Sequence, residues 1–225
     1  MDKDVTIVIP AKDEAETIQA IVTKCLAHSD AVLVIDGCSG DDTAALAKDA
    51  GAHVISDNGI GKGAALRQAI SHIDTDIAVF IDADGSHTTT DIPKLIAPIR
   101  SGEADHVSAS RLLGGSSELH GGFDEFFRLA GSAFITACIN RRFKTRLSDS
   151  QNGFRAFRTS KLRALNLQET ITTIEQEMII KTLRKGIRLT EVASHESARQ
   201  HGHSHINIWR VAPRYVYSLI KYLFF

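Results

Sequence analysis

Residues 77–87 read IAVFIDADGSH, an unbroken apolar run that ends on two carboxylates, Asp82 and Asp84, with Gly85 directly after them. A short run bounded by a turn signal predicts a buried strand, and the strand's two-residue period would turn Asp82 and Asp84 to one side while Ala83 faces away. The same punctuation occurs three times upstream. VTIVIP (5–10) runs into AKDE (11–14), AVLVID (31–36) into GCSGDD (37–42), and HVIS (53–56) into DNGIGKG (57–63). Between the strands, AETIQAIVTKCLAH (15–28), DDTAALAKDAG (41–51) and KGAALRQAISHI (62–73) space their apolar residues as helices do, the first with Ile18, Ile21, Val22 and Leu26 on one face. This alternation predicts an α/β domain with a mainly parallel sheet. In an open sheet of that kind ligands bind at the carboxyl edge, where all four polar loops fall.

The second half is less regular. HVSASRL (106–112) predicts a strand, FDEFFRLAGSAFITACINRRF (123–143) a long helix, and NGFRAFRTSKLRAL (152–165) a strand or turn entering a helix. IEQEMIIKTLRKG (174–186) is helical in pattern and RLTEVA (188–193) is a strand. At the end, INIWRVAPRYVYSLIKYLFF (206–225) puts Ile208, Ala212, Tyr215, Leu219 and Leu223 on one helical face, with Arg210, Arg214 and Lys221 away from it. There is no repeat, low-complexity tract or linker, so the 225 residues are expected to form a single domain.

With 26 basic and 27 acidic residues the formal charge is −1, which gives no whole-molecule field for nucleic acid. Cys25, Cys38 and Cys138 lack the spacing of a zinc or redox pair and are expected to be reduced thiols of a cytoplasmic protein. The N-terminus carries Asp2, Lys3 and Asp4 and is not expected to be a signal peptide. No stretch reaches the about 18 to 20 apolar residues that span a bilayer.

Two carboxylates one residue apart repel unless a cation lies between them, and such a pair suits Mg2+ or Mn2+ carrying a diphosphate. Taken alone, the motif is also what a solvated turn at a strand end looks like. A third possibility is the Asp-x-Asp-Gly-Thr nucleophile loop of haloacid-dehalogenase-type phosphatases, which DADGS resembles. That family carries the motif on its first strand with a late acidic pair; here it follows three strand–helix units, and no such pair comes after it.

Taken together, the loops resemble family 2 glycosyltransferases. VIPAKDEAETI resembles their opening strand and turn, VIDGCSGDDT their Val-x-Asp-Asp-Gly-Ser-x-Asp-x-Thr loop, GKGAALRQAI their Gly-Lys-Gly-x-Ala helix start, and FIDADGSH their metal-binding Asp-x-Asp. Further on, SASR (108–111), DSQNGFRAF (149–157) and RQHGHSHINIWR (199–210) are similar to blocks of polyprenyl-phosphate sugar synthases of the dolichyl-phosphate mannose synthase type. The resemblance implies a GT-A fold: one Rossmann-like α/β domain, its mainly parallel sheet flanked by helices. A nucleotide-sugar half (1–110), an acceptor half (111–206) and an amphipathic C-terminal helix (207–225) would follow one another.

It also implies a metal-dependent, inverting hexosyltransferase that uses Mg2+ or Mn2+ and moves a sugar from a GDP- or UDP-sugar to polyprenyl phosphate. Pro10, Ala11, Asp13, Glu14, Asp36, Asp57, Lys62, Gly63, Asp82, Ala83 and Arg199 would bind the nucleotide sugar. Asp36 is suited to accept a base N–H, and Lys62 at a helix start to face phosphate, with Gly61 and Gly63 letting the backbone approach a ligand. Glu14 and Asp42 are equally suited to capping a helix. Asp82 and Asp84 would hold the metal, with His87 or His203 completing its shell. Asp84 would also count among the catalytic groups.

For a hydroxyl acceptor Asp149 would be the base. For an anionic phosphate acceptor Arg111 and Arg128 would be the anchors, Arg155 serving there or in a structural ion pair. Where the synthases carry Arg-x-x-Gly-x-Ser-Lys, this chain has Arg199, Gly202, Ser204 and His205, a departure that bears on the subgroup. The aromatic and basic residues of 123–143 and of the C-terminal segment would suit a membrane surface, core packing or a homodimer interface. A peripheral position on the cytoplasmic membrane face would follow from the first. A soluble hydroxyl acceptor, or a silent nucleotide-sugar-binding module, would fit the same donor loops.

Overall fold

The computed structural model describes residues 3–117, 123–197 and 208–225, with the side chains of 123–128 and 208–210 left out of the description. Among the described residues seven strands form one sheet in the order β3-β2-β1-β4-β6-β5-β7. The first half supplies β1 (Val5–Ala11), β2 (Ala31–Asp36), β3 (His53–Ser56) and β4 (Ile77–Phe80), all mutually parallel. The second half adds β5 (His106–Ser110), β6 (Arg155–Arg158) and β7 (Leu189–Ala193). β6 lies between β4 and β5 and runs antiparallel to both, while β5 and β7 are parallel.

Continuous apolar runs become strands here because both faces of the sheet are covered. Ile7, Ile9, Val32, Val34, Ile77 and Val79 pack under α1 (Ile18–Leu26), α2 (Thr43–Asp49) and α4 (Ile92–Arg100). The alternate residues Val8, Leu33, Ile35, Ala78 and Phe80 pack on the opposite face, under α3 (Lys62–Ile70), α7 (Thr159–Ala164) and the start of α8 (Ile174–Arg184). A third cluster joins α6 (Phe123–Phe143), α8 and the C-terminal α9 (Ile208–Phe224) through Ile135, Ile139, Ile179, Ile180, Leu219, Tyr222 and Leu223. The one-turn α5 (Arg111–Gly114) follows β5, with Ser110 capping it through Leu113 N.

Three local features differ from the sequence expectation. The β4 ladder stops at Phe80, so Asp82 and Asp84 lie on the turn beyond the strand and their placement comes from that turn. Helix α4 is an element for which the sequence reading gives no expectation, and it carries two prolines, Pro93 and Pro98. Pro93 sits at the first helical turn, where a missing N–H costs nothing, and Ile92, Leu95, Ile96 and Ile99 bury one side. On α9 the exposed large hydrophobic residues are Val216, Tyr217, Ile220 and Phe224, an apolar stripe, and Arg214, though also exposed, is paired with Glu169.

Candidate functional site

Each polar loop at the carboxyl edge is knitted to its neighbour by side chains the sequence singles out. After β1, Asp13 takes a left-handed conformation (φ 54°), and its Oδ1 accepts from Gly40 N at 2.7 Å. Ser39 Oγ accepts from Asp13 N, and Thr43 Oγ1 accepts from Glu14 N. Pro10 lies past the last β1–β4 pair, and the Ala11 carbonyl accepts from Gly37 N. Cys38, also left-handed (φ 56°), stands where the family pattern has glycine, and its Sγ meets the Asp57 carbonyl at 3.2 Å. Asp57 Oδ1 turns back to accept from Gly59 N.

Asp36 closes β2 and is buried. Its Oδ2 accepts from Ser39 N, but Oδ1 has no hydrogen-bond partner among the described residues. A desolvated carboxylate oxygen left in that state costs free energy that an incoming N–H would recover.

Next to this loop lies the centre of charge. Lys62 Nζ sits 2.6 Å from Asp82 Oδ1 and 2.8 Å from Glu175 Oε1. Burial opposes the ammonium's charge, yet the two carboxylates outweigh it and hold Lys62 above its ordinary pKa. Asp82 shows the converse: burial would raise it, while Lys62 and the His87 imidazole hold it far below the usual carboxylate range. His87 is buried against Phe154, with Nε2 3.6 Å from Asp82 Oδ2. Asp84 Oδ1 accepts from Ser86 N and Oγ at 3.0 and 2.7 Å, which fixes the turn. The Ala83 carbonyl accepts from Thr17 Oγ1 at 2.7 Å, tying this turn to the start of α1.

The glycines beside Lys62 serve a close contact within the fold. A Cβ at Gly63 would stand 2.6 Å from the Glu169 carbonyl and 2.7 Å from that of Ile171, and one at Gly61 would stand 2.9 Å from that of Thr170. They admit the backbone of 169–171, and Ala64 N donates to the Thr170 carbonyl. Gly153 has a similar role at the acidic pair: its Cβ would fall 2.5 Å from Asp82 Oδ2 and 2.9 Å from Lys62 Nζ.

A second group assembles further along the edge. Arg111 Nε donates to Asp149 Oδ2 at 2.8 Å and its Nη1 to Glu196 Oε2 at 2.9 Å. Burial opposes the guanidinium charge, and the two carboxylates more than restore it. Asp149 Oδ1 also accepts from Gln151 N, and Glu191 on β7 holds the Asp149 and Ser148 amides. Arg155 is fully buried, donating to the Asn152 and Glu175 carbonyls. Burial lowers its pKa, against the Glu175, Asp149 and Asp82 charges. Arg199, His203 and His205 lie outside the described residues, as does the Arg128 side chain.

Glu175, Gly153 and Glu196 are site residues the sequence does not point to. The one available signal was the pair of acids in IEQE at a helix start, which reads equally well as helix-dipole compensation.

Asp82 and Asp84 offer the hard oxygen donors that Mg2+ or Mn2+ prefers, and the absence of a side chain at Gly153 keeps space beside them. Among the described residues no three His, Cys, Asp or Glu side chains form a metal-holding group. A cation there would therefore draw on phosphate or water oxygens, as Mg2+ commonly does.

The sheet order, the carboxyl-edge loops and the acidic turn define an open α/β architecture with its polar loops at one edge, and the chain belongs to glycosyl transferase family 2, whose model matches residues 6–166. It is similar to glycosyltransferase AglJ of Haloferax volcanii, with 34% identity over 190 residues, covering 84% of this chain and 61% of that protein. The chain thus spans less than two thirds of that relative's length. It also resembles the UDP-N-acetylglucosamine–dolichyl-phosphate N-acetylglucosaminyltransferase of Methanococcus voltae, with 29% identity over 190 residues and 74% of each chain covered. Among solved structures, glucosyl-3-phosphoglycerate synthase from Mycobacterium tuberculosis, in complex with Mg2+ and uridine diphosphate, superposes with a TM-score of 0.77 at 20% identity, covering 98% of this chain and 79% of that one. The GT-A fold implied by the sequence is the fold observed.

Proposed function

We propose that the chain transfers a sugar from a nucleoside-diphosphate sugar to a polyprenyl phosphate. The observation that carries this reading is the convergence of Lys62, Asp82 and Glu175 on one spot at the carboxyl edge, with the unpartnered Asp36 oxygen on the same edge. Asp36 accepts a ring N–H of the base. Lys62 turns toward the diphosphate, exchanging part of its contact with Asp82 for phosphate oxygens. Asp82 and Asp84 hold Mg2+ or Mn2+, which when bound offsets charge on the leaving diphosphate. The acceptor oxygen forms its bond to the anomeric carbon on the face opposite the breaking bond, so the configuration inverts.

An anionic phosphate needs no base, and this suits the state of Asp149. Arg111 and Gln151 N both donate to it, which equips it to order Arg111 better than to take a proton. Arg111 is in turn matched by two carboxylates, so that of the two anchors the sequence offers, Arg128 is the cation for the acceptor phosphate and Arg199 stays with the donor. The Methanococcus voltae relative is named for a dolichyl-phosphate acceptor, and that supports the same choice.

The bilayer surface is where such an acceptor resides. The exposed Val216, Tyr217, Ile220 and Phe224 of α9 and Phe134 of α6 suit it, as do the exposed Arg141, Arg142, Lys144 and Arg146. Arg142 Nε donates to the Leu223 carbonyl, so the basic end of α6 meets the aromatic end of α9. No helix among the described residues is long and apolar enough to cross a membrane.

The test is transfer from UDP- and GDP-sugars, with Mn2+, to a dispersed polyprenyl phosphate and to soluble hydroxyl acceptors. An acid-labile lipid-linked sugar is the expected product. Transfer to a hydroxyl alone, lost in Asp149→Asn, would replace it with the soluble-acceptor reading, and donor binding without turnover would make the chain a silent binding module.

A further inference from the structure

The C-terminal helix reaches the donor site from behind. The backbone of 169–171 lies directly on the Gly61-Lys62-Gly63 turn, so close that neither glycine could carry a side chain without displacing a carbonyl. What sets the position of that backbone also sets the position of Lys62. One end is gripped by Glu177 of α8, whose carboxylate accepts from Gln168 N and Glu169 N, both at 2.8 Å. The rest is gripped by α9. Arg214 Nη2 donates to the buried Glu169 Oε2 at 3.0 Å, and Thr173 Oγ1 donates to the same oxygen at 2.7 Å. Tyr215 Oη donates to Thr172 Oγ1 at 2.7 Å, and the Tyr215 carbonyl accepts from Gln176 Nε2 at 3.1 Å.

These contacts bracket the carbonyls of Thr170 and Ile171 and continue into the first turn of α8, where Glu175 holds Lys62 Nζ. Two routes therefore run from α9 to one ammonium: through the carbonyls beneath the glycines, and through Glu175.

We propose that Arg214 and Tyr215 are positioning residues for Lys62, so that docking of α9 sets the affinity of the site for a diphosphate. The inference rests on the donor-binding reading above. Neither residue is asked to touch the nucleotide. Their action is directed at the part of the donor that Lys62 faces, whereas Asp36, which closes β2, is held through Ser39 N and Asp57 N and by neither of them.

That separation supplies the test on the full chain. Calorimetry with Mn2+ compares UDP against uridine and GDP against guanosine, in the wild type and in Tyr215→Phe. Loss of the one hydrogen bond should weaken diphosphate binding about fivefold, the scale of a single net hydrogen bond, with nucleoside binding unchanged. Hydrogen exchange at the Ala64 amide, which donates to the Thr170 carbonyl, should quicken in the same variant while amides of β1 and β2 keep their protection.

Equal loss for nucleotide and nucleoside, or general loss of protection, would reduce Tyr215 to a structural role and overturn the proposal. Unchanged diphosphate affinity would also overturn it. If Tyr215→Phe does not fold, Thr172→Val removes the other half of the same bond and carries the same expectations. A wild type that binds no nucleotide would overturn the donor reading itself, and this inference with it.

Discussion

Glu175 Oε1 accepts a hydrogen bond from Lys62 Nζ at 2.8 Å, which ties the first turn of α8 to the first residue of α3. Asp82 holds the other side of the same ammonium at 2.6 Å. Lys62 thus separates two carboxylates that would otherwise face each other. Lys62→Met should destabilise the free protein by about 3 kcal/mol, the low end for a buried charge group that loses one partner, because Asp82 is partly exposed. Urea unfolding measures this. Adding Glu175→Gln should recover part of the loss, since the residues share one network and their effects do not add.

The acidic turn carries the metal expectation. Asp84→Ala should lower kcat/KM for transfer at least about a hundredfold, the scale of losing electrostatic stabilisation of a leaving group. Treating the native protein with EDTA should do the same, with activity restored by Mg2+ or Mn2+. Full transfer activity in Asp84→Ala would remove that residue from the metal site.

Gly153 tests the shape of the same spot. In Gly153→Ala the new methyl would stand 2.5 Å from Asp82 Oδ2, so the carboxylate must move or the loop must shift. Sugar transfer should fall about tenfold or more, a displacement of a full ångström in a reacting site being able to cost about a hundredfold. Melting temperature and kinetics on the same sample separate this from unfolding.

His106 gives the fold a dependence on pH. Its ring is fully buried, stacks on Phe157 at 3.7 Å between centroids, and meets Thr182 Oγ1 through Nδ1. Burial, with help from the Arg155 charge, pushes its pKa well below the ordinary 6.5. The unfolded chain therefore binds a proton that the folded chain refuses. Stability from this group is complete above about pH 6.5 and falls as the pH drops below it, by up to about 1.4 kcal/mol per pH unit. Urea unfolding at pH 7.5, 6.5 and 5.5 should show the slope, and His106→Gln should flatten it.

How much of this was legible follows from where the apolar residues lie. β1, β2 and β4 are buried on both faces, so their runs are continuous and their polar ends conspicuous. That is why Asp36, Lys62, Asp82 and Asp84 could be placed at one edge. β6 was ambiguous because its run RAFR begins with an arginine that the fold buries completely. Glu175, Gln176 and Glu177 read as the solvated start of a helix, yet all three are buried, each engaged with a group distant in sequence or with the 168–169 backbone. Charged residues interior to a fold leave no periodic signal, and their partners become visible only when the chain is closed.

The place of β6 has a consequence for how the molecule is made. β5 has only β6 and β7 as neighbours, and both follow it in the chain. When β5 leaves the ribosome it has no strand to join, and β4 has an open edge on the side β6 will occupy. The parallel half can assemble in order of synthesis, but its last edge stays unprotected until residues 155–158 arrive. A nascent chain stalled between β5 and β6 would expose that edge, and such an intermediate is where a chaperone would be needed.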